Sequence, residues 1–265
     1  MKQEENAMIE KYYWSPVKTR LKLYVDMLNV PHLLIGGTTG SGKSVLINQL
    51  ITTGIAYTPA HKQFILIDPK RVELYKYAHL PHSMYYADTP ERIENALTES
   101  IRVMEERFDR MRAQGLTMSD QSDIYIIIDE LADMMTTRPR TYSPLIQRLA
   151  QLGRAARMHV IAATQCPLRE VIPTPIKVNF DHRICLRTRN AQDSRNIMGE
   201  SGGEKLPPYG ECYWAGPMGT KRTILPLYKP EAVEQIMDFW NKHPKPMPQD
   251  RIELWQRTIK PIYAA

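Results

Sequence analysis

The segment Gly37–Ser44 constrains this chain more than any other feature. It reads Gly-Thr-Thr-Gly-Ser-Gly-Lys-Ser and matches the pattern Gly-x-x-x-x-Gly-Lys-Ser/Thr at every fixed position. An apolar run, His32–Gly36, precedes it, and a helical pattern over Val45–Ile55 follows. A strand, a glycine-rich turn and a helix in this order direct backbone amides and a helix N-terminus at one phosphate group. The sequence therefore predicts a nucleotide phosphate-binding loop in an α/β domain.

The residue types in this loop suit the binding of ATP and Mg²⁺. Its glycines allow the backbone to curve around an anion without a Cβ in the way. The Lys43 ammonium is expected to reach the β- and γ-phosphates, and the Ser44 hydroxyl is expected to bind Mg²⁺. The predicted nucleotide contacts are Gly37, Thr38, Thr39, Gly40, Ser41, Gly42, Lys43, Ser44 and Val45.

Polar residues follow two further apolar runs. The run Ile124–Asp129 ends in an acid that is expected to hold Mg²⁺ through water, and Glu130 comes next. A carboxylate there can orient and deprotonate an attacking water. The alternative is that both acids cap the next helix. Gln165 follows the run His159–Thr164 and is predicted to lie beside the γ-phosphate, unless it is an ordinary loop glutamine.

The other apolar runs alternate with helical patterns, which is typical of a mainly parallel sheet flanked by helices. Strands are predicted at Gln63–Asp68 and His182–Leu186, and helices at Thr89–Gln114 and Thr141–Arg157. A strand between the phosphate-loop strand and the strand that ends in Asp129 favours a RecA-like P-loop NTPase over a nucleotide kinase.

The pattern changes after the predicted strand at residues 182–186. A β-hairpin is predicted with strands at Gly210–Gly216 and Thr220–Tyr228. Two helices are predicted after it, at Pro230–Asn241 and Arg251–Ile259. The sequence thus predicts one ATPase domain over residues 1–228, ending in the hairpin, and a short helical appendage over residues 229–265.

Composition narrows the class of protein. The 265 residues include 3 cysteines without metal-ligand spacing, which fits a reducing compartment. No apolar run is long enough to cross a bilayer, and the charged N-terminus lacks the apolar segment of a signal peptide. We therefore expect a cytoplasmic protein without a membrane span of its own. The formal charge of +6, from 35 basic and 29 acidic residues, permits a nucleic-acid partner without requiring one.

Several collinear motifs resemble those of the FtsK/SpoIIIE family of DNA translocases. They extend from about Tyr24 to Trp214 and include the phosphate loop. The others include Ile67-Asp68-Pro69-Lys70 with Glu73-Leu74, Asp129-Glu130-Leu131-Ala132-Asp133, Arg148-Leu149-Ala150-Gln151, Ala163-Thr164-Gln165 and Gly203-Glu204-Lys205-Leu206.

The resemblance implies a motor that uses ATP and Mg²⁺ to move double-stranded DNA through a homo-oligomeric, hexameric ring. In such a ring each nucleotide lies at a subunit boundary, so that a neighbour supplies an arginine to the γ-phosphate. Arg154 matches the family's position for this arginine. Arg157, which stands where the family usually has glycine, is the second choice. Either could instead be a surface charge. The catalytic set implied is Glu130, Lys43, Gln165 and Arg154.

The predicted DNA-binding loops depart from the family pattern. Thr117 occupies a position that is often basic, and Pro173-Thr174 replaces a Thr-Gly pair. Solvated surface positions are therefore an open alternative for every candidate DNA contact. The candidates are Arg112, Arg169 and Lys177.

The chromosome-segregating members of the family carry membrane helices and a C-terminal winged helix, neither of which this sequence shows. We therefore expect a free-standing motor of a conjugative or other mobile element, recruited by a relaxosome or membrane-anchored partner. One alternative is an ATPase of a type VII protein secretion system. Another is an assembly module that binds ATP without motor activity.

Overall fold

The described residues form a single sheet of eight strands. A computed structural model describes residues 23–24, 26–57, 62–208, 210–225 and 230–242. The strands are β1 His32–Gly36, β2 Lys62–Ile67, β3 Ser83–Ala87, β4 Asp123–Ile128, β5 Met158–Thr164, β6 His182–Cys185, β7 Glu211–Gly216 and β8 Gly219–Ile224.

The strand order is β3-β2-β4-β5-β1-β6-β7-β8. The six strands β1 to β6 are parallel, and β7 and β8 extend the sheet beyond β6 as an antiparallel hairpin. Strand β5 lies between β1 and β4, with Ile35 beside Ala163 and Ile126 beside Val160. The predicted fold class, a RecA-like P-loop NTPase with a mainly parallel sheet and a terminal hairpin, is confirmed.

Helices cover both faces of the sheet. They are α1 Lys43–Tyr57, α2 Pro90–Gln114, α3 Leu131–Thr137, α4 Pro139–Leu152, α5 Thr174–Lys177, α6 Ala191–Met198 and α7 Pro230–Lys242, with 3₁₀ turns at Tyr75–Tyr77 and Gly203–Lys205. Helix α2 shows how local sequence sets these limits. The Thr89 hydroxyl accepts a hydrogen bond from the Arg92 N–H, and Gly115 ends the helix with a φ of 67°.

Apolar side chains alternate between two core layers across the sheet. Leu33 and Ile35 of β1 pack on the face that carries α1 and α7, whereas Leu34 packs on the face that carries α2 and α4. Trp240 of α7 is buried in the first layer, where its ring makes an edge contact with His82 at 4.7 Å between centroids. The helices that the structure describes are each too short or too polar to cross a bilayer.

Each of the predicted strands of the parallel sheet lies within one residue of its observed limits, but β3 was not predicted. Among the described strands β3 pairs only with β2, at the sheet edge, and although Tyr85 and Tyr86 favour a strand, its five residues lack the β-branched or Leu-rich run that marks the other parallel strands. The helix predicted over Thr141–Arg157 is wrong at its end, because α4 stops at Leu152. A Cβ on Gly153 would lie 2.5 Å from the carbonyl oxygens of Leu149 and Met158, where the chain turns sharply into β5.

The C-terminal predictions are tested in part. The second hairpin strand, predicted over Thr220–Tyr228, is observed at Gly219–Ile224. The helix predicted near Pro230–Asn241 is α7. The helix predicted at Arg251–Ile259 lies outside the described residues, and the division into domains at residue 228 stays a prediction.

Candidate functional site

The predicted nucleotide-binding residues meet at one edge of the sheet. Because β1, β2, β4 and β5 are parallel, the loops that follow them leave from the same edge. We call it the carboxyl edge. It brings together the phosphate loop after β1, Asp68 after β2, Asp129 and Glu130 after β4, and Gln165 after β5.

The phosphate loop is held from both sides and depends on its glycines. Gly40 and Gly42 have φ angles of 75° and 102°, which disfavour residues with a Cβ. A Cβ on Gly37 would lie 2.6 Å from Ser41 Oγ and 2.7 Å from Leu186 Cβ. The loop borders a cavity of about 450 Å³, a size that suits a small-molecule ligand. Its lining residues include Thr38 to Gly40, Gly42 to Val45, Glu73, Gln165, Gly210 and Leu225.

Lys43 and Asp129 form a buried ion pair at the base of this cavity. The Lys43 ammonium lies 2.9 Å from Asp129 Oδ1 and also donates to the Asp129 carbonyl oxygen at 2.7 Å. Burial raises the pKa of the Asp129 carboxyl, and the adjacent Lys43 ammonium opposes that effect. Binding of a nucleotide here would require Lys43 to exchange this carboxylate for phosphate oxygens.

Glu130 connects three strands of the carboxyl edge. Its side chain is 2% exposed, and both carboxylate oxygens accept from the Gln165 N–H, at 3.0 and 3.2 Å. The Lys70 ammonium, on the loop after β2, lies 3.4 Å from Glu130 Oε2. Glu130 precedes α3 but makes no side-chain hydrogen bond that caps it. This geometry is that of a carboxylate oriented by the cavity-lining residue Gln165 rather than a helix cap.

Gln165 connects this carboxylate to the phosphate loop. Its side-chain Oε1 accepts a hydrogen bond from Thr39 Oγ1 at 2.8 Å, while its backbone N–H donates to Glu130. A polar side chain in this position can respond to a phosphate bound at Thr39. The site therefore contains a continuous path from the phosphate loop to the segment that follows β5.

The residues at this edge fit a Mg²⁺–nucleotide complex. Ser41 Oγ and Asp68 Oδ1 are buried and have no hydrogen-bond partner among the described residues. Within the same part of the chain, no cluster of three or more acidic, histidine or cysteine side chains could hold a metal unaided. Mg²⁺ is commonly bound by one or two protein oxygens together with substrate phosphates. Ser44 and Asp129 are the residues that could supply those oxygens.

The structure separates the two candidate trans-acting arginines. Both precede β5 and therefore lie at the opposite edge of the sheet, which we call the amino edge. Arg154 is exposed, and its side chain makes no hydrogen bond or ion pair within the described ranges. Arg157 donates to Asp123 Oδ1 at 2.8 Å and has a φ of 55°, a backbone conformation that glycine adopts more easily. Arg157 is thus occupied within its own chain.

The candidate DNA contacts do not form one group. Arg169 follows β5 at the carboxyl edge and is exposed, and Lys177 of α5 lies near it. The Lys177 ammonium donates to the Arg195 carbonyl oxygen at 3.2 Å, and burial, with Arg183 and Arg169 nearby, lowers its pKa. Arg112, at the end of α2, lies at the amino edge and pairs with Asp109 at 3.5 Å.

Lys70 and Glu73 are site residues to which the sequence alone assigned no role. Lys70 contacts Glu130, and Glu73 lines the cavity. Both belong to the motif Asp68-Pro69-Lys70 with Glu73-Leu74, so their position after a predicted strand was the available signal. Asp68 accounts for the shape of this loop, because its Oδ2 accepts from the Glu73 and Leu74 N–H groups at 3.1 and 2.9 Å.

Comparison with known proteins agrees with this geometry. The FtsK/SpoIIIE family model matches residues 15–126 and 116–171, which together are more than half of the chain. The DNA translocase FtsK of Agrobacterium fabrum is 35% identical over 259 residues, 81% of this chain and 29% of that protein. The chain therefore spans about three tenths of that curated relative's length.

Solved structures show the same fold. The pCW3 conjugation coupling protein TcpA, in a monomer form with an ATP analogue, has a TM-score of 0.68 at 22% identity, covering 81% of this chain and 66% of that one. ATPases 2 and 3 of EssC from Geobacillus thermodenitrificans have a TM-score of 0.70 at 18% identity, covering 83% and 46%. At these identities the comparison establishes the fold of a P-loop ATPase.

Proposed function

The chain belongs to the FtsK/SpoIIIE family, and from this premise we propose that it hydrolyses ATP to move double-stranded DNA. The observation that carries the proposal is the carboxylate of Glu130. It is buried and oriented by the N–H of Gln165, which lines the phosphate-loop cavity, and it follows Asp129 of the Lys43–Asp129 pair. A nucleotide-binding protein without hydrolysis has no need of such a carboxylate.

The residues of the carboxyl edge have distinct tasks in this reaction. Lys43 contacts the β- and γ-phosphates, and Ser44 and Asp129 would hold Mg²⁺. When bound, Mg²⁺ neutralises charge on the phosphate oxygens. Glu130 orients the attacking water and accepts its proton as the bond to the γ-phosphate breaks. Gln165, bonded to Thr39, senses whether that phosphate is present.

We infer that the segment after β5 transmits the state of the nucleotide to DNA. Gln165 contacts both the phosphate loop and Glu130, and Arg169 follows in the same segment. Binding or loss of the γ-phosphate would change the Thr39–Gln165 contact and thereby shift this segment. Arg169 and Lys177 are the proposed phosphate contacts of this loop, and Arg112 is a separate one.

We further propose assembly into a hexameric ring in which Arg154 completes the site of the adjacent subunit. Strand β5 has 7 residues. At about 3.3 Å per residue it places Arg154 roughly 20 Å from Gln165. Arg154 therefore cannot reach the phosphate loop of its own chain, whereas an exposed, unpaired guanidinium at a subunit boundary can reach a neighbour's. Conjugative transfer of a mobile element is the setting that we propose, with recruitment by a relaxosome or membrane-anchored partner.

An ATPase of a protein secretion system is the second candidate. The structures of the type VII secretion ATPase EccC of Thermomonospora curvata and of TcpA are similarly close in fold, with TM-scores of 0.64 and 0.68, so the fold does not separate the two. Sequence favours DNA, because the identity is 35% to a DNA translocase and 22% to EccC. An ATP-dependent assembly module is disfavoured by the orientation of Glu130.

The test is the rate of ATP hydrolysis with and without double-stranded DNA over a series of salt concentrations. We expect stimulation by DNA that declines as salt rises, because counterions are released on binding. Lys43→Ala should abolish nucleotide binding and hydrolysis, whereas Glu130→Gln should retain binding and lose hydrolysis. Stimulation by secreted proteins rather than DNA would favour the second candidate. Negligible turnover under every condition would favour an assembly module.

A further inference from the structure

We propose that Lys70 is a positioning residue for Glu130, which it holds in the orientation needed for hydrolysis. This inference rests on the proposed function, because it assumes that Glu130 is the base. Lys70 follows β2, and its ammonium lies 3.4 Å from Glu130 Oε2. It is the side-chain donor to Glu130 in the part of the chain that the structure describes.

Two donors from different strands fix the Glu130 carboxylate. The Gln165 N–H, after β5, approaches both oxygens, and the Lys70 ammonium approaches Oε2 from the opposite neighbour of β4. The Gln165 N–H alone would allow the carboxylate to pivot around one donor. With Lys70 present, Oε2 also accepts from the ammonium, and Oε1, which accepts from the Gln165 N–H at 3.0 Å, keeps a second lone pair for a water at the γ-phosphate.

The loop that carries Lys70 is built to hold it in place. The Asp68 carboxylate accepts two backbone N–H groups of the same loop, and the Arg71 N–H donates to the Asp68 carbonyl oxygen at 3.1 Å. Arg71 has a φ of 61°, an uncommon conformation for a residue with a Cβ. Such strain is retained where surrounding structure determines the backbone, and it occurs preferentially at functional sites.

The difference in burial separates this contact from an ordinary surface ion pair. The Lys70 side chain is 40% exposed, but that of Glu130 is only 2% exposed. A pair between two exposed groups contributes little, whereas a buried carboxylate depends on each of its donors. Burial lowers the pKa of Lys70, and the carboxylates of Glu130 and Asp133 outweigh that effect and raise it, so the ammonium stays charged.

The experiment compares Lys70→Met with Lys70→Arg, and uses Lys76→Met as the matched control. Lys76 is an exposed lysine near the same loop, 5.2 Å from the Tyr77 ring centroid. Lys70→Met should lower kcat between about tenfold and 100-fold, the scale of a misplaced catalytic group, with KM for ATP and the melting temperature unchanged. Lys70→Arg should recover most of the loss, and Lys76→Met should match the unmodified protein.

A second comparison distinguishes failure of this inference from failure of the proposed function. In a Glu130→Gln background, Lys70→Met should have no further effect on residual turnover, because the two residues act as one unit. If Glu130→Gln is inactive but Lys70→Met retains kcat within about twofold, the positioning role is wrong and the proposed base stands. If Glu130→Gln itself hydrolyses ATP at the normal rate, the assignment of the base is wrong. A Lys70→Met protein whose KM for ATP rises and whose melting temperature falls along with kcat would also overturn the inference.

Discussion

The two edges of the sheet both concentrate charged side chains, but they use them differently. At the carboxyl edge, Lys43 and Gln165 line a cavity of about 450 Å³, and behind them Asp129 pairs with Lys43 and Glu130 accepts from the Gln165 N–H. At the amino edge, three basic side chains surround the Asp123 carboxylate, with Arg157 at 2.8 Å, His159 at 3.3 Å and Lys62 at 3.5 Å.

The amino-edge network is saturated. The Lys62 ammonium donates to the Tyr125 hydroxyl at 2.6 Å, and that hydroxyl donates to the Leu28 carbonyl oxygen at 2.9 Å. The Tyr125 and His159 rings stack at 4.7 Å between centroids. This network fixes the starts of β2, β4 and β5. Its charged groups already have partners within the described residues, so it is not a candidate ligand site. Arg154 lies outside it, which is why we assign Arg154 rather than Arg157 to a neighbouring subunit.

The largest expected effect tests this division at the amino edge. Arg154→Ala should lower the ATPase rate by about 10³–10⁵-fold, the value of such arginines in other NTPases, with normal ATP binding and stability. Arg157→Ala should instead lower the melting temperature, because it removes a partner of the buried Asp123. A matched pair of rate and melting measurements separates the two arginines.

Mixed assemblies test whether Arg154 acts on a neighbour. Arg154→Ala and Glu130→Gln proteins should each be inactive alone, but in mixtures some boundaries combine an intact arginine with an intact base. Partial activity should therefore return. If mixed assemblies are confirmed by mass and show no activity at any ratio, Arg154 does not act in trans.

The next effect concerns stability. Burial alone would raise the pKa of the Asp123 carboxyl, but hydrogen bonds from His159 and Arg157 hold it well below its usual range. Asp123→Ala should lower the free energy of unfolding by about 3–5 kcal/mol, because it leaves the buried Lys62 ammonium without its carboxylate partner. Glu130→Gln at the carboxyl edge should change it by less than about 1 kcal/mol, since the amide keeps an acceptor for the Gln165 N–H. Denaturant unfolding of both variants checks this contrast, and equal losses would contradict it.

The sequence predicted the carboxyl edge better than the amino edge. Lys43, Asp129, Glu130 and Gln165 follow apolar strands, and parallel pairing alone is enough to bring such residues together. The partners of Asp123 could not be predicted from the sequence, because they come from different strands and only the register of β2, β4 and β5 places them around its carboxylate. Likewise, the sequence places Lys70 in a motif but does not predict its contact with Glu130, because that contact depends on the loop conformation that Asp68 holds.

The free energy of unfolding should fall in acid because of His32, a buried residue at the start of β1. Its Nδ1 accepts from the Val160 N–H at 3.0 Å, and burial, with His159 nearby, lowers its pKa to about 3. In the unfolded chain the His32 imidazole binds a proton near pH 6.5, so above that pH its neutral form costs the folded protein nothing. As the pH falls below 6.5, this residue lowers the free energy of unfolding by about 1.4 kcal/mol per pH unit, and the decrease levels off near the folded pKa.

His32→Asn keeps an acceptor for Val160 and removes the titration. The free energy of unfolding should then vary less between pH 6 and pH 4, by about 1.4 kcal/mol per pH unit. His79→Gln, at an exposed position, is the control and should leave the slope unchanged. A slope that His32→Asn does not alter would show that the imidazole is protonated in the folded protein.

The smallest effect compares the proposed DNA contacts at the two edges. Arg169→Ala and Arg112→Ala should each reduce the slope of log affinity against log salt by about 1, the value for one lost phosphate contact. Only Arg169 lies in the segment that Gln165 connects to the phosphate loop. The loss in Arg169→Ala should therefore differ between a non-hydrolysable ATP analogue and ADP, whereas the loss in Arg112→Ala should not. Fluorescence anisotropy with duplex DNA measures both slopes, and the same nucleotide dependence in the two variants would mean that Gln165 does not couple nucleotide to DNA.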